Sequence, residues 1–357
     1  MKTHTKTKFH ILGFAVCCLS LVTARVQGQT TPVDLTELGL EEILTMSIVP
    51  QSALIESERH GFRLGYQYVR VNFEQYLSGR DKVSRQQVLA NFPVVPADIT
   101  QQAHIVTVGY EFNDRFSVNL NLPQVHQSTY HISRVPGYGE FTIDSSGLGD
   151  ISLSAAYIAW RDDTRILAVD GGFSLPTGSI DELGNTPRTP GLDQLPYTMQ
   201  LGSGTVDFQP GVTFAGAAGN IEYGARLQGT VRMGRNDRDY SLSHRAVLKS
   251  WVTYTGWKYF HPSFKVSGQV WDRIHGQDSE LLLPPGAPVT FPAPVTNPRL
   301  FGGEKIALMI GGRIPFSEGY LKGQSIEVEA GLPVYQRLNG PQPGETWRLA
   351  VSWNWSI

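Results

Sequence analysis

Charged side chains recur at alternate positions in segments whose other residues are apolar. Glu327 and Glu329, for example, flank Val328. Alternate residues of an extended chain point to opposite faces, so the charges line one face of a strand and the apolar side chains line the other. Charges in such a wall are tolerated only in contact with water or with one another. They predict a polar lumen, and twelve residues in this phase are the candidate lining residues: Arg63, Glu111, Asp170, Asp207, Glu222, Arg226, Arg232, Lys265, Arg313, Glu327, Glu329 and Arg348.

The predicted lumen has two interpretations. Its mixed signs argue against a strongly ion-selective pore, which carries a ladder of a single sign. One interpretation is a narrow polar conduit, and hence a channel or transporter for small solutes. The other is a lumen filled by interlocking ion pairs, as in a non-conducting structural barrel. The proline-rich segment 281–298 adds a further alternative, because it either serves as an adhesive outer loop or folds inward and narrows the pore.

An outer-membrane lipid hydrolase is the catalytic alternative. Such an enzyme needs a serine and a histidine side by side on the outer surface, oriented by a third polar residue. Histidines are available, but none lies in phase beside a suitable serine: His104, His126, His131, His244 and His261. His126 and His131 are expected in one loop without metal ligands nearby in the sequence. We therefore predict a protein that is not an enzyme, with no catalytic residue, no metal site and no cofactor.

The elements that position these side chains are predicted to be strands. Alternation, with the apolar residues in phase, gives twelve segments. The first outward-facing residue of each segment, in chain order, is as follows: Phe62, Val106, Phe116, Ile151, Leu167, Val206, Ile221, Ala246, Phe264, Ile306, Ile326 and Trp347. A single-chain barrel needs an even number if both of its ends lie in the periplasm. Pro210 lies in the middle of one segment and, lacking an N–H, predicts a bulge there.

Short and long connections alternate along the chain. The short ones are rich in turn residues and the long ones are polar. The short connections are 113–115, 161–164, 217–220 and 256–262. The long ones are 78–101, 127–150, 176–205, 234–243 and 272–305. Two connections are exceptions, because the inner turn 316–324 is longer than the other short ones and the outer loop 337–345 is shorter than the other long ones. Outer-membrane barrels have short periplasmic turns and long outer loops. The predicted fold is therefore all-β, a transmembrane antiparallel β-barrel of about twelve strands with a short N-terminal helical segment.

The N-terminus has the pattern of a secretory signal peptide. Three lysines precede the apolar run 9–22, and Gly28 offers a cleavage site. We predict residues 1–28 as the signal peptide, 29–60 as a periplasmic or plug-like segment with helical periodicity, and 61–357 as the barrel. Both cysteines of the sequence lie within the signal peptide, so the mature protein is expected to have no disulfide.

Charge and the C-terminus predict the compartment and the partners. The 357 residues carry a formal net charge of −2 without a basic stripe, which argues against nucleic-acid binding. The C-terminal segment 346–357 alternates aromatic with polar residues, as the closing strand of a barrel does. The expected location is the outer membrane of a Gram-negative bacterium. The expected partners are outer-membrane lipid, a small-molecule solute and, through the C-terminal strand, the barrel assembly machinery.

Three glycine-rich motifs carry a resemblance to a known family. They are Gly147–Asp150, Phe173–Gly178 and Gln200–Gly204, which read GLGD, FSLPTG and QLGSG. In this order and spacing they resemble the outer-membrane transporter family named for the MetA pathway of phenol degradation. The resemblance implies a barrel that takes up or exports small solutes, including aromatic ones. The glycines themselves suit sharp bends where strands meet outer loops.

Overall fold

A computed structural model describes residues 60–188 and 191–356 of the chain. The predicted signal peptide, 1–28, and all but the last residue of the predicted plug-like segment, 29–60, lie outside this part, so both stay predictions. No helix in the described part is long and apolar enough to cross a membrane.

Strands dominate the described part of the chain, which also contains one α-helix and several short 3₁₀ helices. The strands are β1 (Gly61–Gly79), β2 (Asp81–Lys82), β3 (Val94–Glu111), β4 (Phe116–Ser133), β5 (Glu140–Leu148), β6 (Ile151–Arg161), β7 (Arg165–Leu175), β8 (Leu183–Asn185), β9 (Leu192–Gln194), β10 (Asp207–Ala218), β11 (Ile221–Arg232), β12 (Tyr240–Ser241), β13 (Arg245–Tyr254), β14 (His261–Trp271), β15 (His275–Gly276), β16 (Gly303–Phe316) and β17 (Gln324–Ser356). The helix is α1 (Arg85–Asn91), and the 3₁₀ helices are Tyr197–Met199, Ser279–Leu281, Pro294–Thr296, Pro298–Leu300 and Gly319–Leu321.

Eleven of the described strands form a closed antiparallel ring. Its order is β1, β3, β4, β6, β7, β10, β11, β13, β14, β16 and β17, and β17 pairs with β1. Two more strands, β2 and β5, join the same sheet outside the ring by pairing with β1 and β4. The small sheets β8–β9 and β12–β15 lie in long connections. Closure leaves the ring without an open edge, so the predicted all-β antiparallel barrel is confirmed.

The predicted count of twelve ring strands is not confirmed, because the last two predicted segments belong to one element. β17 spans 33 residues. Its first part, up to Leu338, pairs with β16, and its second part, from Gln342, pairs with β1. The two ends of β17 are adjacent, since the Ser356 N–H donates to the Gly323 carbonyl at 3.1 Å. β17 therefore folds back on itself, and the predicted outer loop 337–345 is part of its extended chain.

The predicted short connections are confirmed, and an asparagine or aspartate side chain closes two of them. Between β3 and β4, the Asn113 side chain accepts from the N–H groups of Arg115 and Phe116, each at 2.9 Å. Between β6 and β7, Asp162 accepts from the Thr164 N–H at 2.9 Å and the Arg165 N–H at 2.8 Å. Such turns need few residues. They define the short-turn end of the barrel, and the opposite end is called the long-loop end.

Strands extend further at the long-loop end than the sequence predicts. β3 begins at Val94 and β4 continues to Ser133, and these two residues pair with each other. Parts of the predicted loops 78–101 and 127–150 are therefore strand. His126 and His131 lie in β4 and not in a loop, so that prediction is wrong.

The bulge predicted at Pro210 is also wrong. The pairs on either side of it, Phe208 with Val231 and Gly211 with Gln228, keep one register. A Cβ atom at Gly229 would lie 3.3 Å from the Pro210 ring. The neighbouring glycine thus leaves room for the proline ring in a regular strand.

Large apolar side chains cover the outside of the ring, in the predicted phase. Leu332 is 54% exposed and Ile310 is 68% exposed, although both lie in the middle of paired strands. Aromatic residues gather near the short-turn end, as expected for an interfacial girdle: Phe112, Phe116, Tyr157, Trp160, Trp257, Tyr259 and Phe260. An apolar exterior of this kind suits lipid rather than water.

A pair of substitutions on β10 tests which face contacts lipid. Val212 is 37% exposed on the outside, whereas Gln209 lies in the opposite phase. We expect Val212→Arg to lower the free energy of unfolding by about 2–4 kcal/mol, because the charge meets hydrocarbon near the midplane. The matched Gln209→Arg should cost clearly less, because its side chain points into the lumen. Urea unfolding in lipid vesicles measures both, and equal losses would contradict the assigned phase.

Candidate functional site in the barrel lumen

All twelve predicted lumen residues lie in ring strands and point inward, and they form ion pairs. At the short-turn end, Arg63 lies 3.1 Å from Glu111 and donates to the Asn119 side chain at 3.0 Å. Arg313 of β16 lies 3.2 Å from Glu222 of β11. Because β13 and β14 separate these two strands, the second pair spans part of the lumen rather than one strand interval.

The middle of the lumen holds two further ion-paired groups. Arg226 makes two parallel hydrogen bonds to Asp170, at 2.8 and 2.7 Å, across the intervening strand β10. The position on β10 beneath this pair is Gly211, where a Cβ atom would collide with the Asp170 carboxylate. Lys265 lies between Glu327 at 2.7 Å and Glu329 at 2.6 Å. Paired, bidentate geometry fixes these side chains in place.

The long-loop end holds the most deeply buried charges. Arg232 contacts Asp207, and their side chains are 3% and 1% exposed. Arg348 binds Glu345, with one nitrogen–oxygen distance of 2.7 Å, and Lys305 contacts the same carboxylate. The side chains of Lys305 and Glu345 are 1% and 0% exposed. One buried carboxylate thus stands between two buried cations.

Lys305 and Glu345 are buried, ion-paired residues of the barrel interior that were not predicted from the sequence. Lys305 has the same inward phase as Arg313, but the predicted strand begins one residue later, at Ile306. Glu345 was assigned to an outer loop, whereas β17 continues through it. If the alternating pattern of this strand is extended by one residue toward the N-terminus, it places Lys305 on the inward face. No comparable signal marks Glu345.

A second surface of the lumen is apolar. β1 and β3 place Val69, Val71, Ile99, Ala103 and Ile105 inward, and Val69 and Ala103 are 0% exposed. These residues belong to one contact cluster, called the apolar wall, with Phe73, Leu77, Trp271, Leu338 and Ala350. Only polar residues were predicted for the lumen. The described lumen therefore combines paired charges with an apolar wall.

The three glycine-rich motifs meet at the long-loop end although they are far apart in sequence. The Asp150 carboxylate accepts from the Gly178 N–H at 2.9 Å and from both the N–H and the hydroxyl of Ser203, each at 2.7 Å. Thr177 accepts from the Ile151 N–H at 2.9 Å. Burial raises the pKa of Asp150, and the hydrogen bonds from Ser203 and Gly178 act in the opposite direction. This junction, called the motif junction, holds the connection 176–206 against the rim.

The connections 176–206, 233–244 and 272–302, together called the outer cap, pack on one another. Tyr197, Tyr240 and Phe301, one from each connection, belong to one buried cluster. Arg238 also ties the three together, at 2.7 Å from Asp181 and 3.1 Å from Glu280. Burial raises the pKa of Asp278, another partner of Arg238, although hydrogen bonds oppose the shift.

The proline-rich segment 281–298 contributes to this packing. Ala293 and Val295 are buried against Val94 at the start of β3, and the Val94 N–H donates to the Pro292 carbonyl at 3.0 Å. Residues 292–298 thus pack against the start of β3, as expected of the alternative in which this segment folds back on the barrel.

Three of the histidines considered for hydrolysis contact residues other than serine. The Tyr66 hydroxyl lies 2.7 Å from His104, and His131 lies 3.1 Å from the Thr129 carbonyl. His261 lies 3.2 Å from Arg313. These contacts place the three histidines in structural hydrogen bonds.

Comparisons with known proteins bear on the fold. No family model matches the sequence, and no curated protein matches it. Among solved structures, the COG4313 outer membrane channel from Pseudomonas putida F1 is 14% identical with a TM-score of 0.55, and the alignment covers 87% of this chain and 100% of that one. The chain has the fold of an outer-membrane channel.

Other structural neighbours are outer-membrane proteins of lower similarity. A Pseudomonas aeruginosa FadL homologue is 11% identical with a TM-score of 0.40, covering 86% of this chain and 92% of that one. The NanC porin is 9% identical with a TM-score of 0.39, covering 82% and 100%. Membership in the phenol-degradation family is not shown and stays a prediction.

Proposed function

We propose that this chain is a channel in the outer membrane of a Gram-negative bacterium for small solutes with an apolar, including aromatic, part. The fold of an outer-membrane channel and the apolar exterior support the location. The observation that carries the function is the composition of the lumen, where neutralised ion pairs stand beside an apolar wall. Paired charges attract neither sign of ion strongly, since the opposite fields cancel at short range. The apolar wall lowers the free-energy cost of moving a solute with an apolar group through the lumen.

The filled-lumen alternative makes a different prediction about transport. Six separate ion-paired groups occupy the described lumen, and two of them reach across intervening strands near its middle. A barrel filled by such groups conducts nothing, whereas a conduit passes solutes alongside them. Transport by purified protein therefore separates the two interpretations.

We expect proteoliposomes to take up phenylalanine faster, relative to glutamine, than control liposomes do. The two amino acids share one backbone and one net charge, so the comparison isolates the aromatic side chain. In Ile105→Asn, where a polar group enters the apolar wall, the ratio of phenylalanine to glutamine uptake should fall. Val106→Asn, at the neighbouring outward position, is the matched control and should keep the wild-type ratio.

Two outcomes would contradict the proposal. Uptake of both amino acids at the rate of protein-free liposomes would favour the filled lumen. An unchanged ratio in a correctly folded Ile105→Asn protein would show that solutes do not pass the apolar wall. Migration of unboiled samples on a detergent gel reports folding in each case.

A further inference from the structure

Two histidines and one aspartate converge at the long-loop end, apart from the ion pairs of the lumen. His244 precedes β13, Asp272 follows β14, and His275 lies in β15. One potential ligand atom from each residue lies within 4.8 Å of the others. Two imidazole nitrogens and a carboxylate oxygen form a donor set that suits Zn²⁺, Ni²⁺ or Cu²⁺. The three side chains are thus close enough for one ion to draw them together.

The backbone holds these residues in position. The His244 N–H donates to Asp272 Oδ1 at 2.6 Å, and the Asp272 N–H donates to the His244 carbonyl at 3.1 Å. His275 pairs with Ser241 in the small sheet β12–β15. Beneath this sheet, Tyr240 and Ile274 are packed in the buried cluster of the outer cap. The site therefore rests on a packed frame rather than on a single loop.

An ion in solution can reach the three side chains. His244 is exposed, and the side chains of Asp272 and His275 are 42% and 38% exposed. Their position at the long-loop end places them on the external side of the membrane if the long loops face outward, as in other bacterial barrels.

Asp272 and His275 already lie close together, whereas the His244 side chain must move before it can bind an ion. His275 Nε2 lies 2.8 Å from Asp272 Oδ2, a hydrogen-bond distance. The two atoms need to separate by only about 0.6 Å to act as tetrahedral ligands that each bind Zn²⁺ at about 2.0–2.2 Å. His244 Nδ1 accepts from the Arg232 N–H at 3.1 Å. A neutral imidazole that accepts through Nδ1 carries its proton on Nε2. His244 must therefore release this hydrogen bond or turn its ring before it can bind an ion.

We propose that His244, Asp272 and His275 form an external site for a divalent transition-metal ion. The ion completes its coordination with water and links the connection 233–244 to the connection 272–302. Binding therefore stabilises the outer cap, since it joins two of its three connections. This site is independent of the proposed passage of solutes through the lumen.

Titration calorimetry with Zn²⁺ tests the proposal on tag-free, chelator-treated protein in detergent. We expect one Zn²⁺ per chain for the wild-type protein and for His126→Gln, a control that removes an exposed histidine of β4. His275→Gln should weaken binding at least about tenfold, since loss of even a supporting group around a metal costs 10–100-fold. His244→Gln should weaken it less, because that ring must adjust before it binds. Equal affinity of His275→Gln and the wild type would overturn the proposal.

Cu²⁺ electron paramagnetic resonance provides a readout that reports the ligands directly and does not depend on affinity. The wild-type spectrum is expected to show coupling to two imidazole nitrogens, and the His244→Gln spectrum to one. A wild-type spectrum without nitrogen coupling, with Cu²⁺ added at one equivalent, would also overturn the proposal.

Discussion

Glu345→Gln is expected to destabilise the barrel more than any other single change at an ion pair of the lumen. Its carboxylate contacts both Lys305 and Arg348, and the side chains of these cations are 1% and 3% exposed. The substitution removes the negative charge that both cations share. Loss of one partner from a buried charged group costs about 3–5 kcal/mol, because the remaining charge is desolvated without compensation. Urea unfolding in lipid vesicles, followed by tryptophan fluorescence, measures this loss.

Two companion variants show whether burial is the cause. Glu280→Gln breaks a comparable contact, 3.1 Å from Arg238, but the Glu280 side chain is 61% exposed. We expect a change of about 0–1 kcal/mol there. The triple variant Lys305→Met, Glu345→Met, Arg348→Met should recover much of the stability, since replacing a whole buried ionic group with apolar residues is often neutral. Equal losses for Glu345→Gln and Glu280→Gln would contradict this account.

The inward phase of the charged residues could be predicted because it depends only on backbone geometry. Side chains of a strand alternate between faces whatever the tertiary structure, so the sequence predicts one shared face for Arg226 and Asp170, and the two side chains contact each other in the structure. The short turns were equally predictable, because residues such as Asn113 close them locally. Both signals are contained within a few neighbouring residues.

The pairing of these charges could not be predicted from the sequence. Arg226 reaches Asp170 across β10, and Arg313 reaches Glu222 across two strands. Such pairs depend on the curvature of the closed ring and on the length of each side chain. Gly211 shows the same dependence, because its missing side chain makes room for the Asp170 carboxylate.

The extent of the strands was missed for a different reason. Hydrophobic alternation marks a strand only where one face meets lipid. The outer part of β4, around Gln127 and Thr129, is paired on both sides but presents polar residues on its inner face and mostly polar ones outside. The sequence there has no hydrophobic contrast, so it resembles a loop. The continuation of β17 through residues 337–345 is hidden in the same way.

The proposed metal ligands illustrate the limit of motif spacing. His244 and Asp272 are adjacent only because β13 and β14 form a hairpin, and their sequence separation matches no common metal-binding pattern. Asp272 and His275 are three residues apart, which is too weak a signal alone. Only the pairing of β12 with β15 brings the third ligand to the other two.

The second large effect is expected from a substitution in the motif junction, which should detach the connection 176–206 from the rim. Asp150→Ala removes the acceptor of three hydrogen bonds, from the Gly178 N–H and from the N–H and hydroxyl of Ser203. Hydrogen bonds to a charged group contribute about 1.5–3 kcal/mol each. The loss of two of them therefore lowers the free energy needed to detach the connection 176–206 from the rim by about 3 kcal/mol. The connection 176–206 should then leave the rim roughly a hundred times more often. The barrel itself should remain folded, because its strand pairs do not depend on this carboxylate.

Trypsin measures this opening through a single site. Arg188 is the only lysine or arginine between residues 176 and 206, and its side chain is 7% exposed. We expect cleavage after Arg188 to be slow in the wild type and much faster in Asp150→Ala. Gly202→Ala should have a similar effect, since a Cβ atom there would collide with Asp150 and Gly178. Gly268→Ala is the control, because a Cβ atom at Gly268 meets nothing within 4 Å. Wild-type cleavage rates in both Asp150→Ala and Gly202→Ala would show that something other than the three motifs holds this connection to the rim.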